Sequence, residues 1–363
     1  MHKRTTSPLL PNISIVVIGL NVENYLARAL NAVRNSDYPR EKLEIIYVDS
    51  GSTDMSRPIA AGFPEVQLID LNDPAPNAAK GRNAGFRAAK HEVIQFVDAD
   101  SYLDPAWMKQ AVSVLKGDVG AVAGHLNERY PEKNFFHKMA HLEWNLRVGS
   151  DGWSTQSTEA LTFGGNVMLH KRVFLAAGGY DETMIAGEDP DLSYRVRHTG
   201  FRILRLNSPM ASHDINLKSW RQYLTRTYRS GIAYALLAKK YWTQSEKFMM
   251  KRLMRIFGGV LLPQMMIFSG ILFNQVALGV ALGLLVAFRL VFKTSKFARL
   301  FGISRTRAFQ YALYLALSIY PQFMGVLSTF GKALIAQGRH GLSHFSNISF
   351  STTVTPLYEE RQN

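Results

Sequence analysis

The sequence predicts an α/β fold, a mainly parallel sheet with helices on both faces, followed by C-terminal interfacial and transmembrane helices. Three observations predict it. Apolar β-type runs alternate with helical periodicity across residues 12–215, two of those runs end in aspartate, and the basic excess lies entirely beyond them around long uncharged blocks. Lys+Arg less Asp+Glu gives 23 − 25 = −2 for residues 1–215 and 19 − 3 = +16 for residues 216–363.

Residues 1–11 read as a polar, proline-bounded tail. Ile13-Ser14-Ile15-Val16-Val17-Ile18 then reads as a buried strand, and Asn24 to Arg34 has the spacing of an amphipathic helix. Leu43 to Val48 is a second strand running into the turn-forming Asp49-Ser50-Gly51-Ser52-Thr53-Asp54. Val66 to Ile69 is a third, followed by a Pro/Asn-rich loop and a helix over Lys80 to Lys90. Val93 to Val97 is a fourth, ending at Asp98. Strands that alternate with helices imply right-handed crossovers, and ligands of such sheets bind off the carboxyl ends of the strands. Asp104 and Pro105 open a helix over Ala106 to Leu115. From Ala121 to Asp214 the pattern is less regular, with Gly187-Glu188-Asp189-Pro190-Asp191 leading into a short helix that stops near Gly200.

Residues 216–255 predict basic amphipathic helices in the headgroup region. From Lys218 to Arg255 ten basic residues face one acid, Glu246, among tryptophans and tyrosines. Residues 256–335 predict transmembrane or re-entrant helices, and 336–363 a tail. No charged side chain lies between Arg255 and Arg289. As one helix Ile256 to Phe288 would be about 50 Å long, too long for a comfortable crossing, so a hairpin with its tip at Asn274-Gln275 is expected. Lys293 to Arg307 then forms a positive loop on the cytoplasmic side. Ala308 to Gly331 is long enough to span, but Pro321-Gln322 divides it, which leaves crossing, re-entry and lying flat all open.

Composition excludes several classes. The chain has no cysteine, which removes disulfides, thiolate zinc sites and cysteine nucleophiles. Nucleic acid is disfavoured because the aromatics near the basic residues stand in apolar blocks instead of alternating with cations. The apolar run Ile13 to Leu20 has neither the length nor the cleavage site of a signal peptide, so the N-terminal domain is expected in the cytoplasm, anchored at the inner (plasma) membrane.

Val97-Asp98-Ala99-Asp100 carries the chemistry. Two carboxylates one residue apart at a strand end can approach one hard cation together, and Mg²⁺ or Mn²⁺ suits oxygen ligands while keeping positions open for phosphate oxygens. Isolated D-x-D pairs are mostly turn or cap residues. Here a buried strand precedes the pair and Asp104 is available to cap the next helix, which leaves Asp98 and Asp100 without a structural task.

Asn21-Val22-Glu23-Asn24-Tyr25-Leu26, Val48-Asp49-Ser50-Gly51-Ser52-Thr53-Asp54, Lys80-Gly81-Arg82-Asn83-Ala84-Gly85, Asp98-Ala99-Asp100 and Gly187-Glu188-Asp189 stand in an order and spacing that resemble the family 2 glycosyltransferases with the GT-A, Rossmann-like fold, over residues 12–214. The resemblance implies a GT-A catalytic domain over 12–215 and a nucleotide-sugar site that includes Asn21, Glu23, Asp49, Arg82, Asp98 and Asp100. In it Asp49 would accept from the nucleotide base, Arg82 would lie on the nucleotide side of the pocket, and Asp98 and Asp100 would meet the ribose and metal. His213 resembles a third metal ligand, although a lone histidine is more often structural. Asp189 resembles a general base that takes the proton of the acceptor hydroxyl in an in-line, inverting displacement, with Glu188 orienting it or meeting the acceptor sugar. Asp189 also suits a helix cap. Gly164, Gly165 and Asn166 resemble an acceptor-side loop, and a plain tight turn explains the glycines nearly as well. His125, His137 and His141 suggest no cluster.

Processive polysaccharide synthases of the family resemble one another in a Q-x-x-R-W signature, and none follows Asp189; Ser219-Trp220-Arg221-Gln222 has the wrong order. One sugar per encounter is therefore expected, in exopolysaccharide or glycolipid assembly. Polyprenyl-phosphate sugar synthases use an acceptor that is already an anion, so the Glu188-Asp189 pair argues for a hydroxyl acceptor, and the membrane section places it on a lipid-linked molecule. The expected partners are thus a nucleotide-sugar donor, with uridine the commonest base in the family, a lipid-linked acceptor and the membrane. Oligomeric state stays open. A sugar nucleotidylyltransferase would need a Gly-rich basic loop after the first strand, where Gly19-Leu20-Asn21-Val22-Glu23 stands instead, and a noncatalytic scaffold would not need Asp98, Asp100 and Asp189 together.

Overall fold

The structure, a computed structural model, describes residues 10–145, 158–273 and 276–340. Two compact units divide them. The first runs to Tyr130 and takes up again from Trp144 to Ile215; the second takes Pro131–Glu143 and the chain from Asn216.

In the first unit β1 (Ile13–Gly19), β2 (Leu43–Asp49), β3 (Val66–Asp70) and β4 (Val93–Asp98) form a parallel half-sheet in the order β3-β2-β1-β4. The apolar runs of β1, β2 and β4 suit strands covered on both faces, and Ile13, Ile15, Val16, Val17, Ile46, Ile94 and Phe96 are all buried. Between them come α1 (Leu26–Arg34), α2 (Ser56–Ala61) and α3 (Ala78–Ala88). α3 presses directly on β1, because Gly85 has no Cβ where one would collide with Val16, and this seats Arg82 near the carboxyl ends of the strands. The buried Ser14 hydroxyl donates to Glu44 Oε2 (2.6 Å) and accepts from the His91 N–H (3.0 Å).

Beyond β4 the sheet becomes mixed. The chain adds β5 (Ser101–Leu103), α4 (Trp107–Val114), β6 (Val119–Glu128), α5 (Phe135–Asn145), β7 (Thr158–Glu159), β8 (Val167–His170), α6 (Lys171–Ala176), α7 (Glu188–His198) and β9 (Arg202–His213). The order continues β4-β8-β6-β9-β5, with β7 also on β9. β8 is antiparallel to β4 and β6, β6 and β9 are parallel, and β5 runs antiparallel to β9. The stretch from Ala121 to Asp214, less regular in sequence, thus contains the two longest strands. Register shifts between β6 and β9, after Val119, Ala123 and His125, break the period of two that would have revealed them.

The second unit is helical: α8 (Trp220–Lys240), α9 (Met250–Leu272), α10 (Val276–Phe301), α11 (Arg305–Leu317) and α12 (Ile319–His340). α8 and α12 cross with their backbones in near contact, since a Cβ on Gly231 would collide with the Gln322 carbonyl and one on Gly325 with that of Tyr228. Met250–Leu272, Val276–Phe301 and Arg305–Lys332 are long and apolar enough to cross a membrane. Two expectations change here. Lys293 to Arg307 is not a loop: α10 carries Lys293, Lys296 and Arg299 and ends only at Phe301, where Gly302 turns left-handed (φ 61°) and Ser304 caps α11. The last block divides at Ser318 instead of Pro321-Gln322, since Pro321 lies in the first turn of α12, where a missing N–H costs nothing. The expected tip at Asn274-Gln275 lies outside the described residues.

Candidate active site

Two loops at the carboxyl end of the parallel half-sheet are stitched together by the residues the sequence singles out. Asn21, left-handed at φ 53°, accepts from the Thr53 N–H (2.9 Å) while its own N–H donates to Ser52 Oγ (2.8 Å). Glu23 exchanges bonds with the facing loop, its N–H donating to Asp54 Oδ2 and its Oε2 accepting from Met55 N–H, both at 3.0 Å. Asp49 is wholly buried and accepts from the N–H groups of Gly51 (3.0 Å) and Ser52 (2.7 Å), the Tyr47 hydroxyl (3.1 Å) and Arg57 Nε (3.0 Å). Burial works to raise its pKa, but the bonds from Ser52, Arg57 and Tyr47 outweigh burial and hold the carboxyl below its ordinary range. Asp49 is therefore an anionic hub for this loop.

Asp98 and Asp100 emerge at the end of β4 with side chains 34% and 37% exposed. The turn is bracketed by Asn166, whose Oδ1 accepts from the Asp98 N–H (3.1 Å) and whose Nδ2 donates to Ser101 Oγ (3.0 Å). Pairing of β5 with β9 sets Ser101 opposite His213, and this brings His213 Nε2 to 3.1 Å from Asp100 Oδ2 across 113 residues of sequence (213 − 100). Asp100 Oδ1 is buried without a hydrogen-bond partner, and Asp98 Oδ2 also has none among the described residues. Carboxylate oxygens left open beside an imidazole nitrogen suit a hard dication.

Arg82 joins this acidic pair to the residues of α7. Buried on α3, it donates from Nη2 to Asp98 Oδ1 (2.8 Å) and reaches Asp189 Oδ1 (3.2 Å) and Glu188 Oε1 (3.4 Å) from Nη1, over the Tyr180 ring. Burial would lower its pKa, but the carboxylates of Asp189, Asp98 and Glu188 prevail and keep it firmly charged. One guanidinium against three carboxylates leaves 1 − 3 = −2 when all are ionised, a deficit that a bound dication would cancel. Asp189 is not the helix cap: Gly187 holds that position in a left-handed conformation (φ 90°), and no side chain caps the helix. Burial raises the Asp189 carboxyl, Arg82 pulls it down, and the charges of Glu188 and Asp98 push it up again, to about 7. A carboxylate so tuned can accept a proton near neutrality. Gly165 closes the constellation, since a Cβ there would collide with Arg82 Nη2 and the Asp98 carboxylate, whereas Gly164 faces open space.

Sequence reasoning missed two supports. Asn83 clamps the loop before α7, donating from Nδ2 to the Tyr180 carbonyl (2.9 Å) and to Glu182 Oε1 (2.8 Å) and accepting from the Tyr180 N–H (3.0 Å). Tyr180 supplies the buried face beneath Arg82. Asn83 was visible as a polar residue one position after Arg82, but its partner lies 97 residues away and no local pattern announces it.

Comparison with known proteins places the family and the fold. Residues 14–176 match the family model described as Glycosyl transferase family 2. A Bacillus subtilis protein named as a glycosyltransferase, EpsH, is 32% identical over 243 residues, covering 61% of this chain and 67% of that protein. Another from the same organism, YdaM, is 26% identical over 259 residues, covering 67% of this chain but only 60% of its own length. Among solved structures the fold is similar to that of the mannosyltransferase PcManGT from Pyrobaculum calidifontis, in complex with GDP-Man and Mn²⁺. The TM-score is 0.59 at 16% identity, over 90% of this chain and 88% of that one.

The fold and site thus define a GT-A-type glycosyltransferase architecture with long apolar C-terminal helices. The chain belongs to glycosyl transferase family 2.

Proposed function

We propose that this chain is an inverting, metal-dependent glycosyltransferase. It moves one sugar from a nucleoside-diphosphate sugar to a hydroxyl of a membrane lipid-linked acceptor, a polyprenyl-diphosphate glycan or glycolipid, in cell-surface polysaccharide or glycolipid assembly. The observation that carries the reading is Arg82, which ties Asp98 of the acidic pair to Asp189, with Asp189 tuned to about 7. That arrangement holds a donor diphosphate and a proton acceptor at opposite ends of one rigid cation.

Asp189 takes the proton of the acceptor hydroxyl as its oxygen attacks the anomeric carbon on the face opposite the departing nucleoside diphosphate, which inverts the centre. Arg82 keeps the Asp189 carboxylate in place and offers charge toward the diphosphate. The Asn21–Thr53 and Glu23–Met55 bonds shape the nucleotide wall, and the absent side chain of Gly165 leaves the acidic pair open. Asp98, Asp100 and His213 would hold Mg²⁺ or Mn²⁺, which supplies positive charge to the leaving group when bound. PcManGT, whose complex contains GDP-Man and Mn²⁺, supports the donor class and the metal, while uridine remains the base favoured by the family resemblance. The apolar helices support a membrane-borne acceptor.

The full-length protein, incubated with UDP- and GDP-sugars, Mn²⁺, and either a polyprenyl-diphosphate glycan or the same glycan free in solution, tests the reading. Metal-dependent transfer to the lipid-linked form with inversion is expected. Retention of configuration, or equal transfer to the soluble glycan, would contradict it. A polyprenyl-phosphate sugar synthase would instead transfer to bare polyprenyl phosphate and tolerate loss of Asp189.

A further inference from the structure

A cavity of about 420 Å³ in the first unit is lined by α1, β5 and the end of β9, and it contains two cations that the chemistry above does not use. The guanidinium groups of Arg28 and Arg129 both lie over the ring of Tyr102, 5.3 and 4.7 Å from its centroid. Arg129 Nε donates to the Tyr130 hydroxyl (3.0 Å), and among the described residues neither arginine has a carboxylate within ion-pair reach. Two like charges on one ring repel each other. The Tyr102 hydroxyl is buried, and its proton has no acceptor among the described residues. The one acid in the wall, Asp104, already accepts from the Ala106 N–H (3.0 Å).

Each feature asks for an anion. Arginine forks match the oxygens of a phosphoryl group two at a time, and a buried phenol left without an acceptor can donate to a third. Two residues of its wall are close to the acidic site along the chain, Tyr102 two residues beyond Asp100 and Ser212 immediately before His213. We propose that Arg28, Arg129 and Tyr102 form a phosphoryl-binding site that seats the diphosphate of the lipid-linked acceptor. The assignment of the occupant rests on the function proposed above. The anion site itself does not.

Two arms of one experiment separate these. In the first, inorganic pyrophosphate is titrated into the full-length protein by calorimetry with chelator present, so that no dication can bridge it to Asp98 and Asp100. Wild-type protein is expected to bind it, R28Q/R129Q about ten-fold or more weakly, and Tyr102→Phe a few-fold more weakly while preserving the fold. Absence of metal-free binding by the wild type, or equal binding by all three proteins, overturns the site. In the second arm, transfer is measured to a sugar carried on polyprenyl diphosphate and to the same sugar on a neutral alkyl chain. R28Q/R129Q is expected to raise KM about ten-fold for the diphosphate carrier alone, with donor KM and kcat unchanged. An equal effect on both acceptors overturns the acceptor assignment. If neither acceptor is used while pyrophosphate binding still depends on the arginines, the lipid-linked reading fails and the anion site stands.

Discussion

The two halves of the sheet divide the labour differently. The parallel half, β3-β2-β1-β4, has the largely apolar, buried strands β1, β2 and β4 at its heart, and its loops carry residues that bond mainly to one another: Asn21 to Thr53, Glu23 to Met55, Asp49 to Ser52 and Arg57. The mixed half, β8-β6-β9-β5, brings in residues that meet the strand-end acids from far along the chain: Gly165, Asn166 and His213, with Asp189 on the helix before β9. The first half makes a platform whose loop acids Asp49 and Asp54 are bonded within it. The second delivers the side chains that reach the acidic turn, Asn166 bracing it and His213 meeting Asp100.

The largest effect is expected from removing the proposed proton acceptor while leaving the parallel half intact. Asp189→Asn should lower kcat about 10³-fold while donor protection against thermal unfolding stays as in the wild type; retained turnover would show that the base lies elsewhere. Next in size is the pair of neighbouring glycines. Gly165→Ala forces a methyl into Arg82 and Asp98 and should cost about 1–3 kcal/mol in denaturant unfolding, together with most of the activity, whereas Gly164→Ala meets nothing and should stay within about 0.5 kcal/mol. Ser14→Ala, in the platform, leaves the His91 N–H and Glu44 without a shared partner. It should cost about 1 kcal/mol of stability and leave kcat unchanged.

A smaller effect sharpens the electrostatic part. In its proposed role as base Asp189 must be ionised, so kcat/KM of the free enzyme should rise with pH and level off above about 7. Glu188 contributes to the upward shift through its negative charge. Glu188→Gln removes that repulsion, and the rising limb should move to lower pH whatever happens to the plateau. A limb that stays in place or moves upward would show that Glu188 does not act on Asp189 through charge.

Much of the platform was legible in sequence because a strand buried on both faces writes itself as consecutive apolar residues, as in Ile13 to Ile18 and Val93 to Val97. The D-x-D turn was legible for the same reason, standing directly after such a run. β6 and β9 were not, because register shifts at Ala123 and His125 and the proline at 209 interrupt any period. Asn83 and Tyr180 were hidden for another reason: their roles exist only once α3 meets the loop before α7, and neither segment alone shows it. In the second unit the positive charges of α10 suggested a loop, yet lysine and arginine are good helix formers, and the helix runs to Gly302, where a left-handed residue ends it.

The central claim is that Asp98 and Asp100 hold a dication that clasps a diphosphate. Thermal unfolding of the wild type and of Asp98→Asn/Asp100→Asn, each with nucleoside-diphosphate sugar and either Mn²⁺ or chelator, tests it most directly. The account predicts a raised Tm only for the wild type with donor and Mn²⁺ together. Equal protection in chelator, or in the doubly substituted protein with Mn²⁺, would contradict it.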